Sequence, residues 1–531
     1  MKTQEAKEKA EKGCGSIFRN FQVSYKNRTV PIFILAAACF LLYANSLNNE
    51  FISDDIAAIL NNPNISQVFY RLNPFNILNS LIYRVAGNNP FPHHLVNVVL
   101  HFFNTTLVFF FLRLFFKIEA SFLGACLFAA HPIHTEAVTW ISGRPYIITS
   151  IFILGAFLLY YRATGRGSLT RNRKSNVSDY LLSLVISSYY MFTSLSFYFA
   201  FPFFIILFDL TFGSWRRNWK WWLPFIAVTS IKVLLLSRNM IFQRIDFVSR
   251  EIGQQAGPSN FIFNLAYSFF SHLGLLFWPA RLTLYHEPAV ISREVLGAEI
   301  LVLVILAISL PFIFKRSKEL FFGLGLFILF LAPTYSPFMV SWLVAERYLY
   351  FPSVILSILL AFIYEKKTSK QNGSAPILLG AAVFIICASG VRTVARNEDW
   401  KTQERFWRQT ALVSNKSPRA HNNMGDVYGR EGNLDAAIRE FKKAIELRPN
   451  YADAYHNLAH IYHDKGNIEE AVKFYREAIF FNPDLFESRL NLGLIYMSRG
   501  MLDSARIELK EAARIRPQDE NARKALAMAA G

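Results

Sequence analysis

The residues best suited to chemistry in this 531-residue chain lie in one stretch: His131, His134 and Glu136 within His-Pro-Ile-His-Thr-Glu, followed by Trp140 and Gly143-Arg144. Residues 122–130 and 146–161 on either side are largely apolar. Ionisable groups near membrane depth are costly, so such a cluster lines an aqueous or substrate-facing cavity rather than lipid. A second acidic site, Asp54-Asp55, closes the run Phe51-Ile-Ser-Asp-Asp beyond the first apolar stretch. Adjacent carboxylates beside an apolar surface can act as a general base or hold a cation. They can equally cap a helix or sit in a solvated turn. His131, His134 and Glu136 also offer metal-ligand chemistry, but no third ligand pair accompanies them, so a divalent cation is allowed and not favoured.

Arg144, Arg238, Arg244 and Arg347 are candidate phosphate partners, because a guanidinium can hold two phosphate oxygens at once. Each can instead be an interfacial anchor. His94, Asn97, His101 and Asn104 recur at spacings of three, four and three, which stacks them on one helical face turned to a bundle interior. For His101 and Asn104 the plain reading is interhelical hydrogen bonding. His94, nearest the outer face, is a candidate for lining a substrate cavity.

The elements that must position these residues are membrane helices. Composition is 53% hydrophobic and 16% aromatic, with a mean hydropathy of +0.25. A net charge of +18 would suit nucleic acid on a soluble fold, but its distribution excludes that partner. From Pro418 onward 17 Lys/Arg face 17 Asp/Glu, which leaves 39 of the 56 basic and 21 of the 38 acidic residues in the first 417. There the basic clusters (2–28, 162–174, 216–220, 315–318 and 366–370) alternate with apolar runs and mark the cytoplasmic side. Candidate spans begin near residues 30, 94, 120, 146, 179, 197, 221, 298, 320, 349 and 375, eleven in all. An uncleaved anchor with its amino terminus inside then puts the carboxyl end outside, and the stretch 261–278 is read as re-entrant or lying at the outer surface. Of the cysteines, Cys39, Cys126 and Cys387 fall in apolar runs and Cys14 in the basic arm, with no disulfide framework or zinc spacing.

After Val391 the composition changes. Segments starting at Pro418, Ala452 and Phe486 repeat at a period of 34, the length of a tetratricopeptide repeat. Gly432, Gly466 and Gly500 fall in the turns, Ala437, Ala471 and Ala505 at close helix contacts, and Pro449, Pro483 and Pro517 at the ends of the units. Trp407 fits the same register, so 402–414 is read as the second helix of a degenerate earlier repeat and 520–530 as a capping helix. Asn423, Asn457 and Asn491 occupy equivalent positions where an amide can pair with both N–H and C=O of an extended peptide, or else stabilise the helix itself. The expected fold is all-α: a basic arm (1–29), a polytopic bundle (30–391), a linker with the degenerate helix (392–417), three repeats (418–519) and a capping helix (520–531) forming an α-solenoid.

Asp54-Asp55, the run His131-Pro-Ile-His-Thr-Glu-Ala-Val with Gly143-Arg144, the run Ala345-Glu346-Arg347-Tyr-Leu-Tyr-Phe-Pro-Ser353 and the repeat array stand in the same order in a known family. Across nearly the whole chain they resemble the transmembrane and tetratricopeptide-repeat O-mannosyltransferases and their bacterial relatives. The resemblance implies a GT-C type fold of about eleven spans, a sugar donor carried on polyprenyl phosphate, no required cofactor, and a protein or glycan acceptor recruited by repeats on the outer face. A bacterial-type member would sit in the inner membrane with its repeats periplasmic or extracellular. Asp54, matching the leading acid of the family pair, is the first candidate for catalytic base, with Asp55 beside it. His131, His134, Glu136, Arg144, Glu346 and Arg347 are candidate substrate-binding residues, together with His94 from the polar stripe. Three clear repeats are fewer than is usual in the animal members, and the match is loose between residues 273 and 285. A non-catalytic membrane scaffold with recruiting repeats, and an oligosaccharide polymerase or ligase using a lipid diphosphate, are the rival readings. No nucleotide-binding fingerprint is present, as expected for a donor already attached to lipid.

The topology predicts that a maleimide unable to cross membranes labels Asp464→Cys but not Ser168→Cys in intact cells. Equal labelling, or the reverse, would place the repeats in the cytosol.

Overall fold

The computed structural model describes residues 29–68, 72–164, 177–193, 197–213, 215–237, 261–286, 293–335, 342–368 and 375–530. All regular structure among the described residues is helical. The chain forms two compact units: one of Met1–Leu282 with Pro288–Lys401, the other of Thr402–Gly531 with Thr283–Glu287.

In the first unit, six helical segments among the described residues are long and apolar enough to cross a membrane: Thr29–Ser46, Pro90–Leu112, Ile141–Ala163, Glu294–Arg316, Lys318–Tyr335 and Ala375–Glu398. Other expected spans fold as shorter helices, Ile118–Ala130, Val177–Thr193, Phe201–Thr211 and Val354–Thr368, while Trp215–Ser237 carries Arg216, Arg217, Lys220 and Lys232. These six are counted by length and composition among the described residues alone, and Pro132 and Pro352 lie just beyond the ends of two of the shorter helices, Ile118–Ala130 and Val354–Thr368. The stretch near residue 261 folds as the helix Phe261–Phe277 and packs through Tyr267, Phe269 and Leu276 against Ile133, Phe327 and Tyr348.

Local signals fix several helix starts. Asn89 accepts from the Phe91 N–H ahead of a first-turn proline, and Asn73 caps Pro74–Ala86 in the same way. Lipid offers no hydrophobic drive between helices, so close packing must hold the bundle. Rings of Phe111, Phe157, Phe204, Phe208 and Phe322 interlock, with Phe157 and Phe204 stacked at 4.4 Å. Gly124 lets Ile118–Ala130 lie directly on Val354–Thr368, because a Cβ there would stand 2.8 Å from the Ser357 carbonyl oxygen.

The second unit is a stack of antiparallel helix pairs: Pro418–Arg430 with Leu434–Leu447, Ala452–Asp464 with Ile468–Phe481, and Phe486–Ser498 with Leu502–Ile515. Gln403–Val413 precedes them and Glu520–Ala530 follows, with Ala522, Ala525 and Ala529 buried. Ala437, Ala471 and Ala505 are fully buried, as close helix contact requires. Each pair turns through a glycine at φ +75 (Gly432), +76 (Gly466) or +72 (Gly500), the left-handed region that other residues avoid.

Replacing Gly466 by Ala forces a Cβ into that region at a cost of about 1–2 kcal/mol. Amides of Ile468–Phe481 should exchange hydrogen faster in the variant, whereas those of Pro90–Leu112 should not change.

Candidate active site

The acidic pair sits on the loop after the first helix, and its two members face different surroundings. Phe51 and Ile52 are buried, then Ser53 adopts φ +56, a left-handed conformation unusual for a residue with a side chain. That reversal leaves Asp54 exposed and turns Asp55 inward, ahead of a wide π turn at Ile56–Leu60. One carboxylate oxygen of Asp55 accepts from the Ser142 N–H at 2.7 Å and from its hydroxyl at 2.6 Å, and the other from the Ile52 N–H at 3.3 Å. Trp140 Nε1 donates to the Ile52 carbonyl at 3.2 Å, so the loop is held twice to the segment around residue 140. Burial pushes the Asp55 carboxyl up to about 6, against the Ser142 and Ile52 hydrogen bonds and the charge of Arg144. The Asp54 carboxylate has no hydrogen-bond partner among the described residues. Asp55 thus ties its loop to Ser142, while Asp54 lies exposed beside it.

The histidine segment is a broken helix. Pro132 interrupts the helical ladder, and the chain passes through tight turns at Pro132–His134 and Ile141–Gly143 with one short helix, Thr135–Thr139, between them. Such backbone is tolerated at membrane depth only where protein groups satisfy it. His131 Nδ1 accepts from the Ile133 N–H at 3.3 Å, so its Nε2 carries the proton and donates to the Leu276 carbonyl at 3.0 Å. The Ser353 hydroxyl donates to the Tyr350 carbonyl at 2.8 Å, which leaves His134 Nε2 to donate to Ser353 Oγ at 2.7 Å. Burial lowers His131 to about 4, and burial together with the neighbouring His101 and His131 lowers His134 further. Both are neutral at ordinary pH.

Glu136 joins this segment to the Ala345-to-Ser353 run. Its carboxylate accepts from the Arg347 backbone N–H at 2.9 Å and pairs with the Arg347 guanidinium, which lies over the rings of Trp140 and Tyr348 at 5.7 and 5.1 Å. Beside it Glu346 pairs at 3.2 Å with Arg396, which also reaches Asp399 at 3.0 Å. Gly143 permits the fold-back, since a Cβ there would stand 2.7 Å from the Glu136 carbonyl oxygen.

Arg144 is sealed: its guanidinium donates to Asn97 Oδ1 at 2.5 Å, to Asn79 Oδ1, and to the His93 carbonyl at 2.8 Å. The polar stripe acts as stitching. His94 Nε2 meets the Asn49 carbonyl at 3.1 Å, Asn97 donates to the carbonyls of Val138 and Trp140, His101 meets the Tyr350 hydroxyl at 2.7 Å, and Asn104 donates to the Ile147 carbonyl at 2.9 Å. Arg238 and Arg244 lie outside the described residues. Among the described residues no three His, Cys, Asp or Glu side chains converge as metal ligands.

Sequence reasoning missed Ser142, Asn79, Arg396 and Asn397. Asn397 is fully buried, accepts from the Thr139 hydroxyl at 3.1 Å and donates to the Leu42 carbonyl at 2.8 Å. The available signal was Arg396-Asn397 itself, a polar pair at the end of an apolar helix. In the repeats all three asparagine amides are already donating: Asn423 to the Tyr285 hydroxyl, Asn457 to Asn422 Oδ1 and Asn491 to the Tyr475 hydroxyl, each at 3.1 Å.

Fold and site together define a multi-helix protein with membrane-type apolar helices, an exposed carboxylate beside a buried polar network, and a helical repeat array. Tetratricopeptide-repeat family models match residues 425–466, 459–500 and 486–519. The chain is 26% identical over 79% of its length to protein O-mannosyl-transferase F38B6.6 of Caenorhabditis elegans, covering 63% of that protein. It is 27% identical over 79% of its length to human protein O-mannosyl-transferase TMTC1 and 24% identical over 81% to human TMTC3, covering 55% and 52% of those proteins. The curated homologues of this chain are thus TMTC-family protein O-mannosyl-transferases. The chain spans roughly half to three-fifths of the length of the relatives it matches.

Two outcomes follow from the buried charges. Between pH 3.8 and about 6 the folded chain keeps a proton on Asp55 that the unfolded chain has released, so this residue subtracts stability as pH rises through that window. Thermal melting of Asp55→Asn across pH 4 to 6 should lack that component of the slope. Glu136→Gln strands the Arg347 charge and should cost about 3–5 kcal/mol, while Glu136→Gln combined with Arg347→Met should cost less than the single change. A double variant melting below the single one would show that the pair is not the tie described.

Proposed function

We propose that this protein is a membrane glycosyltransferase that moves a sugar, mannose by its relatives' names, from a polyprenyl-phosphate donor to a hydroxyl of a protein or glycan on the outer face. The observation that carries the reading is the division of labour in the acidic pair, with Asp55 spent on Ser142 and Asp54 exposed beside it. Asp54 takes the proton of the acceptor hydroxyl as that oxygen bonds to the anomeric carbon, and the bond from that carbon to the phosphate oxygen breaks. The negative charge that builds on the departing lipid phosphate calls for a cation. Arg347, with 8% of its side chain exposed, suits that role better than fully buried Arg144. A single displacement inverts the anomeric configuration. The repeats would hold a polypeptide acceptor near the site, raising its effective concentration. In a bacterial cell such an enzyme would sit in the inner membrane with a cytoplasmic amino terminus and periplasmic repeats, a reading that rests on the alternation of basic clusters and apolar runs in the sequence.

One observation favours a second reading, a non-catalytic scaffold: His131, His134, Glu136 and Arg144 are all committed to internal partners. Asp54→Asn separates the two, since an exposed residue can be changed without disturbing the fold. Transfer from polyprenyl-phosphate mannose to a Ser/Thr peptide should fall by about 10²–10⁴-fold. Full activity in both Asp54→Asn and Asp55→Asn removes the mechanism, and wild-type protein that neither transfers the sugar nor copurifies with a polyprenyl phosphate by mass spectrometry supports the scaffold.

A further inference from the structure

We propose that the amino-terminal end of the repeat stack is a peptide site whose resident ligand is the chain's own Thr283-Leu-Tyr285. This inference stands apart from the transferase reading. Although the segment leaves the first unit at Leu282 and the chain re-enters it at Pro288, Thr283–Glu287 groups with the repeats. The Tyr285 ring stacks on Trp407, with centroids 6.0 Å apart and planes at 26°. Its hydroxyl accepts from Asn423 Nδ2 at 3.1 Å, and its carbonyl accepts from the Ser414 hydroxyl at 2.8 Å. Ser414 has one hydrogen and gives it to that carbonyl, so in the 2.7 Å contact between Ser414 Oγ and Thr283 Oγ1 the threonine is the donor. Thr283 and Leu284 are both buried.

Four separate features of a Thr-x-Tyr segment are therefore read at one place: a threonine hydroxyl, a main-chain carbonyl, an aromatic face and a phenol hydroxyl. The reading residues come from three places in the stack. Trp407 lies on the degenerate helix Gln403–Val413, Ser414 follows it, and Asn423 lies on the first helix of the first full repeat. The equivalent amides farther along donate within the stack, Asn457 to Asn422 and Asn491 to Tyr475, so Asn423 differs from them in having its partner on a segment from outside the repeats. That difference marks the first position as a built subsite for an extended, tyrosine-bearing peptide. A ligand carried on the same chain meets its site at an effective concentration of about millimolar order, enough for modest contacts to keep it seated and to mask the site from other segments. A competing peptide gains entry only when the internal one leaves.

The probe is a fluorescent peptide of Arg281-Leu-Thr-Leu-Tyr-His-Glu-Pro288, titrated by anisotropy into the full-length protein in detergent. Thr283→Ala with Tyr285→Ala vacates the site and should tighten peptide binding by about tenfold or more over wild type, given the effective concentration of the internal copy. Adding Asn423→Ala to that variant should weaken binding again several-fold. The milder Tyr285→Phe keeps the ring on Trp407 and should give an intermediate gain, which tests the idea even if the double variant folds poorly. Equal binding to wild type and both released variants, absence of binding to all of them, or indifference to Asn423→Ala overturns the proposal.

Discussion

The buried pair of Glu136 and Arg347 is the interaction on which the first unit's polar centre depends. It joins residues 211 positions apart, and its carboxylate takes both the guanidinium and the main-chain N–H of the same arginine. Removing two charges from water costs several kcal/mol for each, so the pair is a poor source of net stability. Its value lies in register. Only one alignment of the two short helical segments lets one carboxylate meet both groups, and the neighbouring Glu346 and Arg396 pair then falls into place beside it. A sliding error of one residue in either segment would strand two acids and two bases in an apolar interior.

That register shapes the chemistry in turn. The segments from His131 to Arg144 and from Ala345 to Ser353 contain most of the residue types a catalyst would use, yet the structure gives most of them partners within the protein: His134 and Glu136 join the two segments, while His131, Arg144 and Glu346 reach outside them. The polar network frames the site, and Asp54 lies exposed at its edge. Such a division suits a site in which preorganisation matters, because groups already held by protein partners need not reorganise around a substrate.

How much of this was legible in the sequence varied with the range of the signal. The repeat turns at Gly432, Gly466 and Gly500 were readable because each depends on a local conformation that glycine alone adopts freely. The stripe from His94 to Asn104 was readable as an inward face, though His94 turned out to hold the Asn49 carbonyl. The separate fates of Asp54 and Asp55 were not readable, since they hinge on Ser53 at φ +56, a conformation no composition rule assigns to serine. Arg144 looked like a free cation because its partner Asn79 lies on a helix, Pro74–Ala86, that carried no motif. Tyr285 fell in the stretch where the family match was loose, so its place beside Asn423 depended on a tertiary fold that spacing does not encode.

The stitching described for the polar stripe, together with that made by His131, Thr393 and Asn397, has a further property. Its donors mostly reach main-chain oxygens: Asn97 those of Val138 and Trp140, Asn104 that of Ile147, His131 that of Leu276, Thr393 that of Ala130 and Asn397 that of Leu42. A carbonyl is supplied by any residue, so each bond constrains one side chain rather than two. Divergence can then be one-sided: Val138, Ile147, Leu276, Ala130 and Leu42 are free to change with the surrounding apolar packing, while the donors opposite them stay fixed. Such a lattice lets a membrane interior drift in sequence without compensating pairs of substitutions, and it leaves little covariation for the drift to be traced by.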